Sequence, residues 1–293
     1  MKHIHFILNP IAGKGNNNLN LELLEKYFNK KDFNIVIKQT AYKKQAIKLT
    51  QESISENADI IVACGGDGTI NEVASCLVNL PIILGIIPVG SGNGLASNLN
   101  IPKDLNSALT LIKSQTIKQI DVGQLNNNYF FSNTGIGFDA QVIKHYEASN
   151  KRTLISYVKA TLKSLKKSNK LLEVETELNG KTIGHKPFLI FISNSNQMGY
   201  NVSLTPKASL QDGMLDILIV PELSFFKIVL FSILMLLKKH HILKEVKNYQ
   251  TKQIKITKKD RPIFQIQIDG EFLMIKNRTI DISILEKALT VIA

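Results

Sequence analysis

The stretch that decides the fold is "DIIVACGGDGTINEVAS", residues 59–75. An unbroken apolar run ends at Ala63 and Cys64. Gly65, Gly66, Asp67, Gly68 and Thr69 follow, and Asn71 and Glu72 open what reads as a helix. A strand that is apolar at every position, rather than at every second one, belongs in a parallel sheet covered on both faces. Working outward, "IHFIL" (4–8), "FNIVIK" (33–38) and "IILGII" (82–87) have the same character, with helical segments near 19–29 and 42–55. The spacing predicts a doubly wound α/β domain over the first ~120 residues.

Beyond residue 122 the pattern changes. "YFFSNTGIG", "LLEVETEL", "KPFLIFISNS", "LDILIV", "TKQIKIT" and "FQIQID" read as strands separated by turn signals, and several alternate, as at Ile254, Ile256, Ile266 and Ile268. That predicts an antiparallel β-sandwich with two helical insertions, 152–169 and 223–243. The expected division is 1–122 for the α/β domain and 123–278 for the sandwich. The strand-like end, 279–293, is a candidate to return to the first domain.

Composition sets the background. The chain of 293 residues is 44% hydrophobic and 20% charged, enough to build real cores. Two cysteines, Cys64 and Cys76, form no disulfide framework, which fits a reducing cytoplasm. The N-terminus lacks the pattern of a signal peptide, and "LSFFKIVLFSILMLL" (223–237) falls short of the ~20 residues that span a bilayer. A net charge of +12, from 33 lysines and only three arginines among the 36 basic residues, favours anionic company. The scarcity of arginine argues against nucleic acid, where arginine dominates base contacts.

In a doubly wound sheet, ligands bind outside the carboxyl ends of the strands. Three glycine-rich loops fall there: "NPIAGKG" (9–15), "GGDGTINE" (65–72) and "PVGSGNGLA" (88–96). Glycine lets backbone approach a ligand, and a helix start offers unpaired N–H groups to phosphate. A carboxylate such as Asp67 inside a phosphate loop repels the ligand unless a cation intervenes, which fits Mg²⁺ with a nucleotide. A D-G turn former is the plainer alternative for Asp67. The chain has no G-x-x-x-x-G-K-[ST] phosphate loop, and its six histidines show no metal-ligand spacing.

With the late "IDGE" (268–271), these motifs resemble the diacylglycerol kinase catalytic-domain family, which includes bacterial lipid kinases, sphingosine kinase and ceramide kinase. The order and spacing match from Asn9 to Glu271. The resemblance implies ATP-dependent phosphoryl transfer to a lipid hydroxyl, with Mg²⁺. By motif position it implies a nucleotide held by Asn9, Pro10, Ile11, Ala12, Gly13, Thr40, Gly65, Gly66, Asp67, Gly68, Thr69, Ile70, Asn71 and Ser91. Ser91 departs from the threonine of many bacterial members. The resemblance also implies a structural Mg²⁺ loop in "SLQDGMLDILIV" (209–220), with the Asp212 carboxylate and the carbonyls of Ser209 and Met214 as ligands. Glu271 falls at the family's general-base position, and Asp67 shares the catalytic assignment. Lys14 is a further candidate phosphate contact. An NAD kinase-like enzyme, which shares GGDG, and a catalytically silent nucleotide-binding membrane sensor remain as alternatives.

Two stretches bear on how such an enzyme meets a lipid. "ELSFFKIVLFSILMLLKKHHILK" (222–244) is either a core helix packed on the sandwich or one whose apolar side lines a lipid cleft or enters a membrane interface, with Lys238 and Lys239 near headgroups. Lys159, Lys163, Lys166 and Lys170 fall at helical spacing, opposite part of the apolar set. The expectation is a cytoplasmic protein that attaches transiently to an anionic membrane surface, with a homodimer left open.

Overall fold

The computed structural model describes residues 1–13, 19–90, 92–149, 154–167, 173–197, 203–260 and 262–293. Its secondary structure falls into two compact units, Met1–Val122 with Glu286–Ala293, and Gly123–Leu285.

The first unit alternates strand and helix: β1 (Lys2–Leu8), α1 (Leu21–Tyr27), β2 (Phe33–Gln39), α2 (Gln45–Ser55), β3 (Ile60–Gly65), α3 (Asp67–Leu77), β4 (Ile83–Pro88), α4 (Gly94–Asn98), α5 (Leu105–Ser114) and the start of β5 (Ile117–Leu125). β1 pairs in parallel with β2 and β3, and β3 with β4, giving the order β2-β1-β3-β4. Every residue from Ile60 to Cys64 is fully buried, which explains the unbroken apolar run. On one face Ile4, Phe6, Leu8, Ile60 and Val62 pack with Leu24, Phe28, Leu109 and Ile112 of α1 and α5. Asn20 caps α1 through the Leu23 N–H, and Asp104 caps α5 through the Ser107 N–H.

The second unit contains β6 (Asn128–Phe130), β7 (Asn133–Gly137), α6 (Phe138–Glu147), α7 (Leu154–Lys167), β8 (Val174–Leu178), β9 (Lys181–His185), β10 (Pro187–Ser193), β11 (Leu215–Pro221), α8 (Phe225–Leu236), β12 (Lys247–Thr251), β13 (Gln253–Lys258), β14 (Phe264–Ile268), β15 (Glu271–Ile275) and most of β16 (Thr279–Ile292). One antiparallel sheet runs β12-β11-β10-β7-β14-β15. A second joins the start of β16 to β13, β8 and β9. Ile190, Ile192, Ile217 and Ile266 of the first sheet share a core with Ile254, Ile256, Ile280 and Ile282 of the second, so the unit is a sandwich. The alternate residues Leu189, Phe191, Leu218 and Val220 face the other way, where Phe231 of α8 covers them.

Both fold classes match the sequence, but one helix does not. The sequence shows two helical insertions in this half, whereas α6 adds a third. The chain turns at Gly137 (φ 89°) from β7 directly into α6, leaving no loop to mark the boundary. α7 then packs on α6 through an edge-on Tyr146–Tyr157 contact and a 2.8 Å hydrogen bond between His145 Nδ1 and Ser164 Oγ.

Candidate functional site

Because the sheet of the first unit is parallel, its carboxyl edge collects the loops after β1, β2, β3 and β4. They are fastened to one another. The Asn9 N–H donates to the Cys64 carbonyl (2.9 Å), and the Asn9 side-chain amide donates to Thr69 Oγ1 (3.1 Å). The Thr40 N–H donates to the Leu8 carbonyl, and the Val89 N–H to the Gly65 carbonyl, each at 2.9 Å. The glycines are needed for close approach. A Cβ on Gly13 (φ 67°) would lie 2.6 Å from the Val89 carbonyl oxygen, and one on Gly90 would lie 2.7 Å from the Gly66 Cα. Bare backbone from three loops thus converges beside the first turn of α3, where unpaired N–H groups favour an anion.

Asp67 is the first residue of α3, and both its oxygens hold the third loop. Oδ2 accepts the Asn93 N–H (2.8 Å) and Oδ1 accepts the Gly94 N–H (2.6 Å). Asn93 itself sits in the left-handed region (φ 52°), and its amide donates to the Gly90 carbonyl (2.5 Å). Asn93 Oδ1 is buried with no hydrogen bond among the described residues. Thr69 and Ile70 are buried, so they shape the edge from beneath, whereas Ile11 is exposed on the loop after β1. Asn71 Oδ1 accepts from Ser75 Oγ one turn further along α3. Pro10 and Ala12 lie on the same loop as Ile11, and Gly68 lies on the first turn of α3. Ser91 and Lys14 lie outside the described residues.

In the second unit Glu271 begins β15, immediately after a two-residue hairpin formed by Asp269 (φ 45°) and Gly270 (φ 82°). Three backbone N–H groups converge on the Asp269 carboxylate: Phe131 on Oδ2 (2.8 Å), and Ser132 (2.8 Å) and Asn133 (2.9 Å) on Oδ1. The buried Gln267 amide donates to Asn133 Oδ1 (2.8 Å), while Gln267 Oε1 accepts the Gly270 N–H (2.9 Å). On the far side of Glu271, Glu147 of α6 accepts the Phe272 N–H (3.0 Å). The hairpin is held from both sides.

The sequence pointed to Glu271 but not to this clamp, nor to Asp139. That carboxyl, in the first turn of α6, is 5% exposed, and burial pushes its pKa up to about 6 against a partial opposing effect of a hydrogen bond to Gln267. Its Oδ2 has no hydrogen bond among the described residues. The only sequence signal was "NTGIGFDA" (133–140), polar and small where a core strand is expected.

The Ser209–Met214 segment is a tight turn into β11. Ser209 Oγ accepts the Gln211 N–H (3.3 Å) and Asp212 Oδ1 accepts the Met214 N–H (3.1 Å). Burial raises the pKa of the nearby Asp216, a hydrogen bond from Gln250 opposes this, and the charge of Asp212 adds to the rise. One carboxylate with two carbonyls is a chemically suitable oxygen set for Mg²⁺. Among the described residues no group of three or more His, Cys, Asp or Glu gathers as a metal cluster.

Comparison with known proteins fits this architecture. Residues 3–125 match the model of the diacylglycerol kinase catalytic domain, and residues 132–293 match that of the YegS C-terminal NAD kinase beta sandwich-like domain. A diacylglycerol kinase of Bacillus subtilis (strain 168) is 28% identical over 279 residues, covering 93% of this chain and 90% of that protein. A diacylglycerol kinase of Staphylococcus aureus (strain bovine RF122 / ET3-1) is 27% identical over 226 residues, 76% of this chain and 71% of the relative. A solved chain from Bacillus anthracis str. Sterne, provisionally described as a diacylglycerol kinase, superposes with a TM-score of 0.78 at 25% identity, covering 99% of this chain and 97% of that one. Fold and relatives define a kinase. The chain belongs to the family that joins a diacylglycerol kinase catalytic domain to a YegS-type sandwich.

Proposed function

We propose that the protein is an ATP- and Mg²⁺-dependent lipid kinase that phosphorylates a lipid hydroxyl. The observation that carries this is the carboxyl edge of the first unit, where a Cβ on Gly13 would run into the Val89 carbonyl and one on Gly90 into the Gly66 backbone, each from a neighbouring loop. Such a cradle suits the phosphates of a nucleotide, with the first turn of α3 supplying N–H groups. Bound there, ATP with Mg²⁺ supplies the transferable phosphoryl group and neutralises its charge.

The chain's own residues divide the remaining work. Asp67 fixes the third loop by accepting two N–H groups, and its remaining lone pairs are suited to Mg²⁺. Asn9, through Thr69 and the Cys64 carbonyl, and Thr40, through the Leu8 carbonyl, tie the other strands' ends around the same edge, and Asn71 is a further nucleotide contact in this proposal. Glu271 takes the proton of the lipid hydroxyl as its oxygen bonds to the γ-phosphorus, and the bond from that phosphorus to the β–γ bridging oxygen breaks to release ADP. A structural Mg²⁺ on Asp212 with the carbonyls of Ser209 and Met214 belongs to the same proposal.

Incubation with γ-labelled ATP and either a lipid extract or NAD tests it. Labelled lipid is expected; phospho-NAD as sole product would establish the NAD kinase-like alternative, and ATP binding without any labelled product would indicate a silent nucleotide sensor. Glu271→Gln is expected to lower lipid turnover ~10²–10⁴-fold while calorimetry still detects ATP.

A further inference from the structure

We propose that the outward face of α8 is a docking surface for an anionic lipid bilayer, into whose interface it lowers its apolar side chains. The proposal rests on the lipid-kinase reading for its purpose, not for its observations. The inner stripe of α8, Ile228, Phe231 and Met235, already packs on the sandwich with Leu189, Phe191 and Val220. The opposite stripe is exposed: Phe226 by 84%, Leu236 by 69%, Leu237 by 61% and Ile233 by 51%, with Val229 and Leu230 between them. Positions i, i+3, i+4, i+7, i+10 and i+11 form one continuous strip of a helix. Exposed apolar patches of this kind mark interaction sites. Ser232, the only hydroxyl on α8, turns its proton back to the Ile228 carbonyl (2.8 Å).

Charge selects the occupant. No acidic residue occurs from Leu223 to Lys244, and Lys238 and Lys239 are exposed just beyond the helix. Neither takes part in an ion pair among the described residues, whereas Lys227 is paired with Glu245. α7 repeats the combination: Ile155, Val158 and Leu162 are exposed alongside Lys159 and Lys163, without an acid in the helix. Lys159 and Lys163 therefore share the exposed face with these apolar residues. A second copy docked on this strip would offer the exposed Lys238 and Lys239 no carboxylate between Leu223 and Lys244, only the flanking Glu222 and the Glu245 already paired with Lys227. A membrane with anionic headgroups answers both the apolar strip and the lysines. No described helix is long and apolar enough to cross a membrane, so α8 lies in the plane of the interface.

The test is flotation of the full chain with vesicles of phosphatidylcholine alone and of phosphatidylcholine mixed with phosphatidylglycerol. The wild-type protein is expected to float with the mixed vesicles. Phe226→Ser with Ile233→Ser and Leu236→Ser should weaken that partition at least ~10-fold with an unchanged melting temperature. Lys238→Glu with Lys239→Glu should remove the preference for anionic vesicles. Equal flotation of the serine variant and wild type overturns the proposal, as does absence of wild-type binding. So does sedimentation showing a wild-type dimer that the serine variant dissolves. Turnover of a short-chain diacylglycerol dispersed as monomers should be the same for wild type and the serine variant. Its absence in both, and of turnover of a short-chain sphingoid base as well, with vesicle binding still lost in the variant, would refute the kinase reading and leave the docking surface standing.

Discussion

Asp269 shows how one side chain can set the position of another. It faces the N–H groups of Phe131, Ser132 and Asn133, which lie 136 to 138 positions away in sequence. Hydrogen bonds to a charged group contribute about 1.5–3 kcal/mol each, and a buried donor left without its acceptor costs a further fraction of that. Asp269→Ala should therefore destabilise the sandwich by roughly 3–5 kcal/mol, near the limit a domain tolerates. Asp269→Asn keeps one acceptor oxygen and should fold. Its hairpin should hold Glu271 less firmly, so kcat for lipid falls about 10-fold or more while the affinity for ATP in calorimetry stays the same. Equal kcat in Asp269→Asn and wild type would mean that the clamp serves only the fold. Glu271 was legible because its motif is local, three residues in a row. The clamp was not, because nothing in "YFFSN" announces three N–H groups waiting for a distant carboxylate.

At the scale of elements, the parallel strands were legible for one reason: burial on both faces erases alternation, and β3 has no polar residue between Ile60 and Cys64. The edge strand β2, with Asn34 exposed and Lys38 turned to an ion pair with Glu56, was readable from its position among the others. α6 was not, since its start is hidden in a run that begins as strand. Its first turn also carries a testable charge. A carboxylate at a helix N-terminus is ordinarily favoured by the helix dipole, yet burial prevails at Asp139 and raises its pKa from 3.8 to about 6. The folded state then holds a proton that the unfolded state has released. The resulting stabilisation is complete below the unfolded pKa and is lost as pH rises through about 6, a change of about 3 kcal/mol. Buried His5 and His240 have lowered pKa values and work in the opposite direction, so the useful readout is a difference between variants. Asp139→Asn minus wild type, in urea unfolding, should increase in the variant's favour from pH 4 towards pH 7.5. A difference that is flat with pH would show that the Asp139 carboxyl is ionised throughout.

At the scale of the whole molecule, the first unit is closed by the last eight residues of the chain. Val291 pairs in parallel with Leu84 of β4, the Ala293 N–H reaches the Thr116 carbonyl (3.0 Å), and the Asn79 N–H donates to the Ala288 carbonyl (2.7 Å). Asp121 Oδ1 accepts the Lys287 N–H at 2.7 Å, so the place where the chain leaves the unit lies beside the place where it returns. Leu289, Val291 and Ile292 are 1%, 0% and 1% exposed. Burying three such side chains contributes roughly 5–9 kcal/mol, comparable with the full stability of a domain. A fragment ending at Val122 loses that contribution and also exposes the backbone edge of β4, which invites pairing between chains. Fragment 1–122 should therefore show no cooperative thermal transition by circular dichroism and should aggregate. Joining residues 286–293 to Val122 through a short glycine-serine linker should restore both solubility and a cooperative melt. If fragment 1–122 alone melts cooperatively at the same temperature as the linked form, the returning strand contributes nothing to the core, and the apolar ends of β16 require another explanation.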